Sequence, residues 1–252
     1  MSDFDRNVAA RGGFADRAAA VDAGLRAYML RVYNYMAAAV ALTGVVAYAT
    51  FNAAVVTDAS GKITALTPFG QTIFSGPLSI VLLLGTLGLV FFISFRINRL
   101  QYTTAMTLFM LYAALLGVTL SSIFLAYTGA SITRVFFISA ASFGALSLYG
   151  YTTQRDLSAW GSFLFMGLIG IIIAMLVNLF LASSALQFAI SVIGVLIFAG
   201  LTAYDTQQIK EMYYAGDDGT VAGRKAVMGA LRLYLDFINL FMMLLQLFGD
   251  RR

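Results

Sequence analysis

Residues 157–204 read LSAWGSFLFMGLIGIIIAMLVNLFLASSALQFAISVIGVLIFAGLTAY, 48 residues without a charged side chain. About 20 apolar residues cross the ~30 Å hydrocarbon core of a bilayer, so this stretch is too long for one crossing. Ser183 and Ser184 near its middle mark a hairpin turn, which makes it two antiparallel helices. Outward from it, charge-free runs cover 32–57, 63–95, 100–133 and 135–154. The 63–95 run opens on loop chemistry, Thr67-Pro68-Phe69-Gly70 and then Ser75-Gly76-Pro77, so its helix starts after Pro77, where proline is tolerated. The last apolar stretch, 227–248, holds Arg232 and Asp236. Together these predict an all-α polytopic membrane protein, with seven helices at roughly 33–54, 78–97, 103–127, 134–152, 159–181, 186–209 and 227–248.

The rest of the composition agrees. The chain is 60% hydrophobic and 11% charged, against about 45–50% and about 25% for a soluble domain. It has neither Cys nor His, which removes disulfides, CxxC redox pairs, zinc and haem ligand sets, cysteine nucleophiles and imidazole bases. Ala47-Tyr48-Ala49 resembles a signal cleavage site. Its apolar run is 26 residues long, however, against about 7–15 for a signal peptide, so it reads as a retained helix. Residues 1–31 mix Arg and Asp and read as a polar tail ahead of a single membrane domain at 32–252.

The net charge of +4 comes from scattered basic residues at the ends of apolar runs, a pattern of membrane topology rather than of a nucleic-acid face. With the N-terminus cytoplasmic, eleven Lys and Arg fall on inside segments and four on outside ones. An odd helix count then puts the C-terminus outside, while Arg251 and Arg252 leave open a last helix that only re-enters. On the third span, Ala113, Gly117 and Ser121 form a stripe of small residues that lets a neighbouring backbone approach.

An ionisable group inside a bilayer costs about 2.5–3.5 kcal/mol on insertion scales, which makes it a functional candidate. Two acids qualify, Asp205 in the sixth span and Asp236 in the seventh. At a 1.5 Å rise both sit about 9–11 Å from the same ends of consecutive antiparallel helices, so they can meet. Two adjacent carboxylates cannot both ionise cheaply and share one proton. In a chain without histidine, such a pair is the remaining way to sense pH near neutrality. Asn239, one turn beyond Asp236, can supply an amide, and Tyr204 points elsewhere on its helix. A purely structural reading stays open: Arg232 is i, i+4 to Asp236, and Arg96 or Arg99 can neutralise Asp205.

Around these acids the sequence closely resembles the Bax inhibitor-1 family (transmembrane Bax inhibitor motif proteins), and most of all its bacterial inner-membrane branch. Three stretches carry the match: SLYGYTTQRDLS at 147–158, GLTAYDTQQIK at 200–210 and LYLDFINLF at 233–241. The resemblance implies a seven-helix bundle with the last helix central and a pH-sensitive leak of calcium. It also implies Asp205 and Asp236 as the proton-sharing sensor, with a latching arginine at the end of the second span. Arg96 matches the latch best and Arg99 is its substitute. Some relatives carry an acid in the second span, where this chain has Leu84-Gly85-Thr86. Arg232 is unusual for its position, and its positive charge opposes cation passage.

Calcium takes 6–8 oxygens, so two carboxylates with Asn239 and loop carbonyls would make a weak, transient metal site, as a leak requires. No cofactor is expected; the lipid bilayer, calcium and protons are the expected partners, without nucleic acid. A non-transporting regulator that binds a membrane protease or stress pathway is the alternative, and purified protein would then pass no ions. An intramembrane aspartyl protease is remote. Tyr204-Asp205 fits it, but the only prolines are Pro68 and Pro77, and Asp236 follows Leu235 rather than glycine.

Overall fold

The structure, a computed structural model, describes residues 3–58 and 62–252, with side chains from residue 21 onward except at 98. Helix α1 runs Asp3–Ala54, and the antiparallel strands β1 (Val55–Thr57) and β2 (Ile63–Leu66) follow. Helices α2 (Pro68–Phe74) and α3 (Pro77–Arg96) come next, then α4 (Tyr102–Leu120) and α5 (Ile123–Ala126). Helices α6 (Gly129–Thr152), α7 (Ser158–Leu181), α8 (Ser184–Glu211) and α9 (Gly219–Phe248) complete the chain. Among the described residues seven segments are long and apolar enough to cross a membrane: Val21–Ala54, Pro77–Arg96, Tyr102–Ala126, and α6 to α9. The protein is an all-α polytopic membrane protein.

The expected turn inside the long charge-free run is present. Ala182 adopts a left-handed conformation (φ 49°) and Ser183 caps α8 by accepting from Leu186 N. Helix α3 begins at Pro77 behind Gly76, as the proline placement requires. Three boundaries differ. Helix α1 starts at Asp3, within the stretch read as a tail, because residues 3–31 are rich in alanine and arginine, both good helix formers; the side chains of residues 3–20 and all of residues 1–2 lie outside the described part. Helix α9 starts at Gly219 rather than 227, capped by Asp218, whose carboxylate accepts from Thr220 N and Val221 N. The 55–76 connection, expected as loop, carries the β1–β2 ribbon and α2, seeded by β-branched Val55, Val56, Ile63 and Thr64 and by the Thr67 cap ahead of Pro68.

Helix α9 occupies the centre, packed against α1, α4, α6 and α8. From Ala226 to Leu245 every residue is buried except Met228, Arg232, Leu235, Asn239 and Met242. Helices α3 and α7 lie at the periphery and expose Leu84, Phe91, Phe165 and Phe180, side chains suited to lipid. The small-residue stripe on α4 works as expected. Ala113 and Ser121 are fully buried, and a Cβ on Gly117 would lie 2.7 Å from Thr43 O of α1. At that crossing Thr43 Oγ1 donates to Ala113 O (2.9 Å) and lies 2.6 Å from the hydroxyl of Tyr234. The Tyr234 ring stands edge-on to Phe109 and Tyr112. One fully buried tyrosine thus ties α9 to α1 and α4.

We call the end with loops 97–101, 153–157 and 212–218 the near end, and the opposite one the far end. At the far end the chain terminus is pinned across the α5–α6 turn: Thr128 N donates to Asp250 O and Arg252 N to Ala126 O (3.1 and 3.0 Å). Helix α9 therefore traverses the bundle from the near end to the far end.

Candidate functional site

Asp205 on α8 and Asp236 on α9 meet. Their carboxyls adjoin in the wall of one cavity, close enough to act on each other electrostatically. Asp236 is 5% exposed, and its Oδ2 is buried with no N–H or O–H donor among the described residues. The partner available to it is another carboxyl, and a hydrogen bond between two carboxyls exists only while one of them carries a proton. Arg232, one turn before Asp236, reaches across to the other acid: its Nη1 lies 3.9 Å from Asp205 Oδ1. With one shared proton the trio is electrically neutral, the state that is least costly in an apolar setting.

The trio lines a cavity of about 710 Å³ between α7, α8 and α9. Helix α7 supplies an apolar wall with Phe165, Leu168 and Ile172; Asn239 is on the α9 side. The Asn239 amide is in the cavity, but Nδ2 donates to Leu235 O (2.8 Å) of its own helix and not to the aspartates. The ring of Tyr204 lines this cavity too, which corrects the expectation that it points elsewhere; it is held there by Gly161, where a Cβ would strike the ring.

Neither expected latch residue is part of the site. Arg96 and Arg99 are exposed at the near end of α3 and absent from the cavity wall. The arginine beside the acids is Arg232, because α3 lies at the periphery while α9 carries its own basic side chain into the centre. Arg232 also borders a smaller cavity of about 230 Å³ with Ser94, Ile97 and Met228, so it adjoins both the acids and the near end of α3. Among the described residues no three Asp, Glu, His or Cys side chains come together, so two carboxylates are what the site offers a cation.

Two of the three motif stretches pack on each other and hold Asp205 in place. A Cβ on Gly150 would collide with Ala203 O, so α6 and α8 cross at backbone contact. Ser147 Oγ lies 2.9 Å from Thr206 Oγ1 and 2.6 Å from the Tyr33 hydroxyl. Gln207 clasps the 153–157 turn, donating to Arg155 O and accepting from Leu157 N, both at 2.8 Å. Lys210 donates to Tyr151 O (2.9 Å). In that turn, outside the spans, Ser158 N donates to Asp156 and holds its carboxyl below the usual carboxylate range.

Such interlocked motifs point to one lineage, and the sequence profile described as "Inhibitor of apoptosis-promoting Bax1" matches residues 25–252. The chain belongs to the Bax inhibitor-1 family. The chain is 51% identical over 231 residues to an uncharacterised protein of Rickettsia prowazekii, covering 92% of each chain. It is 48% identical over 232 residues to the Escherichia coli K12 protein named inner membrane protein YbhL, covering 91% of this chain and 94% of that one. A Caulobacter vibrioides relative is 44% identical over the full length of both.

Sequence reasoning missed an amide cluster at the far end of this family member. Gln246 Oε1 accepts from Gln187 Nε2 (2.6 Å) and Ser191 Oγ (2.8 Å), and Gln187 Oε1 accepts from Asn178 Nδ2 (3.1 Å). The available signal was Asn and Gln side chains inside otherwise apolar spans, where each needs a partner.

Proposed function

We propose that the protein is a pH-sensitive cation leak channel, with calcium as the cation, gated by the Asp205–Asp236 pair. The observation that carries this reading is the buried Asp236 Oδ2, which has no donor among the described residues and belongs to a carboxyl that adjoins Asp205 in the same cavity. While the pair shares a proton and Arg232 balances the remaining charge, helices α8 and α9 are held together and the site is neutral. Loss of the proton as pH rises leaves two carboxylates against one arginine. The like charges repel each other across the α8–α9 contact and attract a cation. Two carboxylates fall far short of the 6–8 oxygens calcium takes, so residence is short and passage is favoured over retention.

The excess of Lys and Arg on the near-end segments supports a cytoplasmic near end, with the N-terminus inside and the C-terminus outside. The name of the E. coli relative supports the bacterial inner membrane. The test is calcium uptake by proteoliposomes holding the purified protein alone. The wild type should leak more at alkaline than at acidic pH, and Asp205→Asn and Asp236→Asn should each flatten that dependence; unchanged pH profiles in both variants would refute the sensor.

A further inference from the structure

The central helix is covered on all sides but one. Between Ala226 and Leu245 its incompletely buried residues are Met228, Arg232, Leu235, Asn239 and Met242, and Gln246 continues the series. Their spacing alternates between three and four residues, a single straight stripe along the helix. Three of the six are polar, Arg232, Asn239 and Gln246, at intervals of seven. Polar side chains facing hydrocarbon are costly and rare, whereas those facing a water-filled slot are common. Its middle residues, Arg232, Leu235 and Asn239, line the acid cavity, a whole wall of which is α7, a helix that packs chiefly on α8.

The stripe connects features already described. At the near end, the cavity under Ser94 and Ile97 reaches Arg232. On the other side of Arg232 lies the larger cavity, with the two acids and then Asn239. Gln246 stands ten residues beyond Asp236, about 15 Å along the helix, inside the amide cluster at the far end. There each carbonyl oxygen already accepts a donor: Gln246 from Gln187 and Ser191, Gln187 from Asn178, and Asn178 from Ser183 N. An ion reaching this point meets amides turned to one another, which have to rotate before their oxygens can face it.

The opposite face of α9 offers no comparable route. It borders a cavity of about 320 Å³ walled by Phe136, Phe237, Ile238 and Phe241. Its polar side chains are Thr43 and Thr133, and both hydroxyls donate to backbone carbonyls, Thr43 to Ala39 O and Ala113 O and Thr133 to Gly129 O. Two hydroxyls in an otherwise apolar, largely aromatic wall are too few oxygens to replace a hydration shell.

We propose that the ion path runs along the Arg232–Asn239–Gln246 stripe of α9, in the slot beside α7, and that the Asn178–Gln187–Ser191–Gln246 cluster is a second constriction at its far end. Arg232 is the near-side barrier, the acids are the midpoint and the amides are the far-side barrier. The route rests on the cation-leak reading above, but water access to the stripe can be measured separately.

The absence of native cysteine makes single-cysteine labelling clean. Cysteine is placed at Asn239 and Gln246 on the stripe, and at Ile238 and Leu245 on the covered faces, in proteoliposomes that are treated with a positively charged methanethiosulfonate. Only a thiolate in contact with water reacts, so Asn239→Cys and Gln246→Cys should be modified about tenfold or more faster than Ile238→Cys and Leu245→Cys. Modification of Gln246→Cys should also stop the calcium leak. Met242→Cys, the apolar stripe position, supplies a further point should a polar substitution fail to fold, and it too should react fast. Equal or slower labelling of the stripe in vesicles whose wild-type counterparts leak overturns the route and leaves the leak standing; fast labelling of Ile238→Cys places the path on the aromatic face instead. A wild type that passes no cation overturns the leak reading, and the route with it.

Discussion

Arg232 and Asp236 stand one helical turn apart, yet the guanidinium of Arg232 pairs across the helix boundary with Asp205, at 3.9 Å. The arginine therefore does not serve its own helical neighbour alone. It balances the pair as a whole, and its side chain, 38% exposed, belongs to a residue that borders both cavities.

Replacing it should alter the cation the site prefers. With both acids ionised the trio carries one net negative charge, and with Arg232→Gln it carries two. The apparent affinity for calcium in the flux assay should rise on the order of tenfold, since a unit charge within a few ångströms is worth more than 1 kcal/mol in a partly buried site. Arg232→Lys keeps the charge and should stay near the wild type. Equal affinities for Gln and wild type would show that Arg232 does not act on the ion.

The α6–α8 crossing should be intolerant of bulk. A side chain on Gly150 collides with Ala203 O, while Gly170 has open space around its Cβ position. Gly150→Leu should lower stability by about 1–3 kcal/mol, and Gly170→Leu should be close to neutral, as read by thermal unfolding in detergent. Comparable losses at both positions would argue against a backbone contact at that crossing.

Removing the Tyr234 hydroxyl should cost little. Tyr234→Phe keeps the edge-on contacts with Phe109 and Tyr112 and leaves Thr43 bonded to Ala39 O and Ala113 O. The expected loss is about 1 kcal/mol, the net worth of one buried hydrogen bond. Tyr234→Leu, which also gives up the aromatic pairs, should lose clearly more in the same unfolding assay.

Asp156 predicts a pH effect outside the membrane. The Ser158 N–H holds its carboxyl below the ordinary range in the folded turn. A carboxyl depressed on folding contributes stability above its unfolded value and loses it as pH falls through the folded one. Asp156→Ala should therefore lower the melting temperature slightly at pH 7, and this difference should shrink as pH falls below about 4, the unfolded carboxyl value. A difference that does not shrink on acidification would assign the effect to something other than the charge.

The bundle was legible because membrane crossing depends on length and charge alone: the 157–204 run forces two helices and a turn wherever they pack. The meeting of the acids was legible for a similar reason, since a constant rise per residue sets both depths. What touches them was not. Whether Arg232 turns to Asp236 or to Asp205 depends on how α8 and α9 cross, and whether Arg96 reaches the pair depends on α3 lying at the periphery. Both are packing outcomes. The first turns of α9 escaped notice because 219–226 is polar and glycine-containing, and its helix is set by the Asp218 cap. The amide cluster was hidden because its members lie on three helices and Gln246 is more than fifty residues from the others, a contact that only the fold creates.

Infrared difference spectroscopy across a pH step tests the central claim most directly, because it sees the shared proton itself. A carboxylic-acid carbonyl band should be present at low pH, disappear as pH rises with one proton released per chain, and be lost or displaced in both Asp205→Asn and Asp236→Asn. A spectrum without such a band, or a band that survives both substitutions unchanged, would contradict the account.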